Sequence, residues 1–94
     1  MSAFFSESDI EHDSSSQQFK VSADGETALL QYRRYQFAGQ AMVDFYHTFV
    51  PTAWRGRQVA ALLTDHAIHW AATEGLQPTA SCSYVAARLR RSAI

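Results

Sequence analysis

Three groups of residues in this 94-residue chain have types and placements suited to chemistry. The first is the stretch from His47 to Ala60, HTFVPTAWRGRQVA. It reads as the end of an apolar strand, a turn containing Pro51 and Gly56, and the opening of an amphipathic helix. Arg55 and Arg57 stand where that helix starts, and its first acid, Asp65, comes more than two turns later. A helix N-terminus carries about half a positive charge and favours Asp or Glu nearby. Two arginines there are locally unfavourable unless an anion is expected, and with the free first-turn N–H groups they predict a phosphate site. The alternative is a pair of solvated arginines on a surface turn. The second group is Cys82, at the end of a strand and close to the start of a helix, a position that lowers a thiol pKa; the alternative is a small buried hydrophobe. The third is His47, suited to act as a general base near neutral pH. His47 alternates with Val43, Phe45 and Phe49, so the competing reading is a core histidine. His66 and His69 beside Asp65 have metal-ligand types, but a helical wheel sends one inward and the other outward, and no metal is expected.

The elements that must position these residues follow from periodicity. Residues 1–17 are acidic and Ser-rich, with Ser14, Ser15 and Ser16 at the end; this composition predicts a mobile tail in which Phe4 and Phe5 stay exposed. Phe19-Lys20-Val21 starts a strand, Asp24-Gly25 signals a hairpin turn, and Thr27 to Tyr35 reads as a second strand. Gly39-Gln40 closes a second hairpin, and Ala41 to Val50 is the third strand of an antiparallel meander. A helix is expected from Gly56 to Glu74, with Val59, Ala60, Leu62, Leu63, His66, Ala67, Trp70 and Ala71 facing a core and Arg57, Gln58, Thr64, Asp65 and His69 facing away. Gly75 caps it. Leu76 to Ser81 is a short strand, with Pro78 pointing to an edge. Ser83 is the predicted N-cap of a last helix, Tyr84 to Arg91. A strand that follows a crossover helix lies parallel to its neighbour. The fold class is therefore α/β of the α+β kind: an antiparallel β-meander, a central helix, a parallel β-strand and a short C-terminal helix.

Ninety-four residues allow one domain. Residues 1–26 hold six acids against Lys20, whereas residues 27–94 hold seven arginines against three acids. The domain expected from residue 18 onward is thus mildly basic, which suits an anionic ligand but lacks the dense basic face of a nucleic-acid binder. A single cysteine leaves no internal disulfide and fits a reducing, cytoplasmic setting. No signal peptide is evident and no apolar run approaches the roughly 20 residues that span a bilayer, so no membrane partner is expected. Nothing in the sequence demands a partner copy, and a monomer is expected.

The same stretch resembles the coenzyme A pyrophosphate loop of the GNAT acetyltransferases, and in particular the pattern H-T-x-V-P-x-x-x-R-G-R-G-x-A of their smallest single-domain members. Glu74-Gly75-Leu76 and Cys82-Ser83-Tyr84-Val85 match that family's E-G-L and C-S-[FY]-V segments at matching spacing, so that the likeness runs from about Phe19 to Arg90. It implies a truncated GNAT fold over residues 18–94, with acetyl-coenzyme A lying between splayed parallel strands. Its pyrophosphate would rest on Arg55, Gly56, Arg57, Gln58, Val59 and Ala60, the backbone of Val50 would meet the pantetheine arm, and Tyr84 and Arg88 would border the coenzyme. Cys82 and His47 match positions suspected of catalysis. Two departures stand out: Gln58 replaces the family's central glycine and Trp54 its usual leucine. The implied activity is acetyl transfer to an amine, whether of a small molecule, a lysine side chain or a protein N-terminus. The rival readings are a coenzyme A- or acyl-coenzyme A-binding module with little turnover, and an interaction domain that has lost the cofactor.

Overall fold

A computed structural model describes residues 5–92. A single five-stranded sheet in the order β1-β2-β3-β4-β5 carries the chain. Its strands are β1 (Glu11–Asp13), β2 (Gln18–Ala23), β3 (Glu26–Phe37), β4 (Gln40–Phe49) and β5 (Gln77–Ala80). The first four pair antiparallel and β5 joins β4 in parallel. Helix α1 (Val59–Thr73) is the crossover between β4 and β5, and α2 (Ser83–Ser92) follows β5. The α+β meander-helix-strand-helix expectation is therefore met.

The hairpin turns follow from backbone sterics. Asp24 and Gly25 have φ of 53° and 77°, and Ala38 and Gly39 have 52° and 79°. Positive φ at both central residues matches the right-handed strand twist. The second turn thus sits one residue earlier than the sequence suggests, and Gln40 already belongs to β4.

One face of the sheet buries Phe19, Val21, Ala28, Leu30, Tyr32, Val43 and Phe45. Against them pack Val59, Leu63, Ala67 and Ala71 of α1 and Val85 of α2, so both helices lie on the same side. Each fully buried large apolar side chain there is worth about 1.5–3 kcal/mol. The expected helix face needs correction. Thr64 is fully buried rather than solvent-facing, Ala60, Leu62, His66 and Trp70 are only half-buried, and Ala61, which the expected face left out, is buried. The helix also starts at Val59 rather than Gly56, because Gln58 stands in the left-handed region, with φ 65° and ψ 19°, and breaks the helical path.

Two further differences set up the site. β3 and β4 change register between Gln31 and Tyr32: Tyr32 opposes Phe45 while Gln31 opposes His47. Tyr46 is thus the extra residue of a β-bulge, and a bulge reverses which side chains face the core. Leu30, on the core face, opposes Thr48, not His47. The composition of residues 1–17 predicts a mobile tail, whereas residues 5–17 form a 3-10 turn (Glu7–Asp9) and the β1 strand. Averaged composition conceals the few side chains that anchor them: His12 stacks on Phe19 at 4.1 Å and its Nε2 hydrogen-bonds the Tyr32 hydroxyl at 2.6 Å. Burial of His12, and then the charge of His66, lower its pKa below the ordinary 6.5. Phe5, expected to be exposed, is half-buried against the core; Phe4 lies outside the described residues.

Candidate functional site

The pairing of β4 with β5 runs from Met42–Gln77 to Phe45–Ala80 and closes with the Cys82 N–H donating to the Phe45 carbonyl at 3.1 Å. Beyond the bulge, Tyr46 to Phe49 continue without a β5 partner. The chain then turns at the buried Pro51 into a 3-10 turn, Thr52–Trp54, whose last residue is also buried. Within this turn the Trp54 N–H donates to the Pro51 carbonyl at 2.9 Å and the Arg57 N–H to the Trp54 carbonyl at 3.2 Å. Gly56, with φ 81°, and Gln58 then reverse the backbone into α1.

The first turn of α1 has no side-chain cap and no acid. The first helical hydrogen bond is from the Leu62 N–H to the Gln58 carbonyl, at 3.0 Å. The amides of Val59, Ala60 and Ala61 therefore have no backbone acceptor. They border a cleft of ≈ 260 Å³ whose wall also includes Val50, Trp54, Arg55, Gly56, Gln58 and Tyr84. Among the described residues neither Arg55 nor Arg57 pairs with a carboxylate. Open amides and the positive end of a helix are groups that favour an anion, and Arg55 stands in the same cleft wall. A Cβ built on Gly56 meets nothing within 4 Å, so the approach to the loop is open.

Most of the residues expected to bind the coenzyme meet at this cleft: Val50, Arg55, Gly56, Gln58, Val59, Ala60 and the part-exposed Tyr84. Arg57 stands in the loop, half-buried, but outside the cleft wall. Arg88 is not in the cleft wall. Its Nε and Nη2 bond both Asp65 carboxylate oxygens, at 3.0 and 2.7 Å, and tie α2 to the outer side of α1. The Val50 carbonyl is also partly engaged, accepting from Arg55 Nε at 3.3 Å. Trp54 and Ala61 belong to the wall without having been marked by any phosphate-site signal in the sequence.

Cys82, not Ser83, holds the cap position of α2: its carbonyl accepts from the Ala86 N–H at 2.9 Å. Burial raises the thiol pKa. Hydrogen bonds to the sulfur from the Val85 N–H, the Thr48 hydroxyl and the Tyr84 N–H outweigh it, and the thiol lies below its ordinary 9.0. Thr48 Oγ1 is 3.6 Å from the sulfur. Sequence reasoning passes over Thr48 because undisturbed alternation would turn it away from the core. The bulge makes the opposite change to His47, which is exposed instead of sharing the core face with Phe45. The structure thus does not bring His47 and Cys82 together on one face. His66 bonds Glu7 through Nδ1 at 3.0 Å, and His69 is exposed.

An antiparallel meander, a crossover helix with a bare N-terminus, a parallel strand and a short C-terminal helix make a truncated GNAT fold. The chain belongs to the GCN5-related N-acetyltransferase family, whose model matches residues 18–93. Its curated relatives include Protein NATD1 of Danio rerio, 35% identical over 78 residues that cover 81% of this chain and 68% of that protein. Protein NATD1 of Mus musculus is 36% identical over the same shares. For Protein NATD1 of Homo sapiens the identity is 36%, over 81% of this chain and 66% of that protein. No solved structure gives a significant match. No helix among the described residues is long and apolar enough to cross a membrane.

Proposed function

We propose that this protein is an acetyl-coenzyme A-dependent N-acetyltransferase that transfers the acetyl group to a primary amine of a small molecule or a protein. The observation that carries the reading is the uncapped, acid-free first turn of α1 opening on a cleft beside two unpaired arginines. In this reading the amides of Val59, Ala60 and Ala61, with Arg55 and Arg57, hold the pyrophosphate, and the cleft wall at Val50 and Tyr84 borders the pantetheine arm. Bound acetyl-coenzyme A supplies the acyl group and a thiolate leaving group. The amine nitrogen attacks the thioester carbonyl, a C–N bond forms, and the C–S bond breaks with its electron pair going to sulfur. The amine proton passes to His47 or to water. The protein contributes mainly proximity, by holding the thioester where the amine can reach it. Hydrogen bonds hold the Cys82 thiol pKa below its ordinary value, yet Cys82 is not in the cleft wall. Direct transfer is therefore favoured over relay through its sulfur.

Titration with acetyl-coenzyme A, followed by amide NMR, tests the binding half. The expected result is shifts concentrated between Val50 and Ala61; unperturbed amides there end the proposal. Release of free coenzyme A thiol with a panel of amines tests turnover, and intact mass after incubation shows whether Cys82 carries an acetyl group. One observation favours a second reading, a coenzyme A- or acyl-coenzyme A-binding module with little turnover. His47 faces away from Cys82 and the core, so among the described residues the cleft wall has no strong base. Binding without thiol release above the hydrolysis background supports that second reading.

A further inference from the structure

The residues before the family-matched region are anchored along β2 and α1 and reach the cleft-forming loop through Phe5. Strand β1 is paired to β2, and His12 is stacked on Phe19 and bonded to Tyr32, which fixes one end of the segment to the core. The 3-10 turn ahead of it is held by the Ser6 N–H donating to Asp9 Oδ2 at 2.8 Å, and it packs on α1. Glu7 Oε1 meets His66 Nδ1 at 3.0 Å. Ile10 packs against the core. The segment ends on Phe5, whose ring stands edge-on to Trp54, with centroids 5.0 Å apart and planes at 61°.

Trp54 is the residue through which such a contact would be felt. It is 4% exposed, it lines the cleft, and its backbone takes part in the hydrogen bonds that set the path from Pro51 to Arg57. Rotation or withdrawal of its ring would shift both the cleft wall and the loop that delivers the open amides. No other aromatic ring touches Trp54 among the described residues. We infer that residues 5–13 form a strap that holds the loop from Pro51 to Gln58 in its binding geometry, with Phe5 acting through Trp54 as a positioning residue. The inference rests on the reading of the cleft as a coenzyme site only for its consequence on affinity; the effect on the loop is separate.

An edge-to-face pair couples its members by a factor of about 2 to 12 in an equilibrium. The test uses the full chain, with Phe5→Ala, Phe5→Tyr and Trp54→Leu. In ligand-free protein, amide hydrogen exchange should accelerate about 2- to 12-fold in Phe5→Ala at the hydrogen-bonded amides of Trp54, Arg55 and Arg57 and not at Leu63 to Ala67, while Phe5→Tyr, which keeps the ring, should match the parent. Unchanged exchange in the loop overturns the strap. Acceleration spread evenly through α1 also overturns it, because that is global destabilisation and not positioning. With coenzyme A as the probe, Phe5→Ala should weaken binding by the same factor, and adding it to Trp54→Leu should have no further effect. An equal loss in both backgrounds shows that Phe5 does not act through Trp54 and refutes the mechanism. If the parent protein does not bind coenzyme A, the coenzyme reading falls and the exchange measurement still decides the strap.

Discussion

Replacing Gln58 by glycine should make the protein more stable. Gln58 adopts φ 65° and ψ 19°, which forces Cβ of an L-residue towards the following carbonyl at a cost of about 1–2 kcal/mol. Its side chain is exposed and caps nothing, so little is lost with it. Against the relief stands the larger backbone entropy of glycine in the unfolded chain, about 0.5–1 kcal/mol. The difference is a net gain of about 0–1.5 kcal/mol, centred near 0.75, and the central value raises Tm by about 3–6 °C for a domain of this size. Gln58→Ala is the control, since alanine keeps the left-handed strain while losing the same side chain, and its Tm should stay near that of the parent. Thermal and urea unfolding followed by circular dichroism measure both. The glycine variant should also bind coenzyme A at least as well, because no side chain then stands over the loop amides. A Gln58→Gly protein that melts lower than the parent, beside an unchanged Gln58→Ala, would refute the strained loop. The bare first turn inferred from it would then need another explanation.

Three other outcomes follow from the same geometry. Gly56→Ala meets no neighbour within 4 Å, so its penalty is conformational alone, about 1–2 kcal/mol from φ 81°, and appears as a lower urea midpoint. The Cys82 thiol lies below 9.0, so iodoacetamide alkylation of the native protein should reach half its maximal rate below pH 9.0, and Thr48→Val should move that midpoint upward. The sign for stability agrees: a depressed native thiol pKa contributes fully above 9.0 and loses its contribution as pH falls through the native value. Arg88→Gln breaks a surface ion pair and should cost at most about 1 kcal/mol in chemical unfolding, with coenzyme A affinity unchanged because Arg88 points at Asp65.

Local chemistry was legible in the sequence where a residue type dictates a backbone state. Asp24-Gly25 announces its hairpin, and the apolar period of α1 announces a core-facing helix. What could not be read is backbone geometry adopted by residues with no preference for it. Gln58 in the left-handed region carries no mark in its side chain, so the helix was expected to begin too early. Tyr46 is an ordinary strand residue, and nothing about it signals a bulge. The N-terminal segment looks disordered by average composition because its order comes from a few contacts of Phe5, Glu7, Ile10 and His12 rather than from a long apolar run.

The bulge at Tyr46 explains why the candidate site, unlike the fold, was only half legible. Alternation carried through from Val43 puts His47 on the core face and Thr48 outside. One inserted residue exchanges them, so the side chain that meets the Cys82 sulfur is a hydroxyl and not an imidazole. Pairing with β5 stops at the same place, since the last link is from Cys82 N–H to the Phe45 carbonyl, immediately before the inserted residue. Pairing ends there because β5 itself ends at Ala80 and α2 begins at Ser83, so the later residues of β4 run past the end of the parallel strand. A sequence change that removed the bulge would therefore act on two features together. It would return His47 to the core face and deprive Cys82 of its hydroxyl partner. The reversal of side-chain faces, which defeats prediction from periodicity, and the meeting of Thr48 with the Cys82 sulfur have one physical cause.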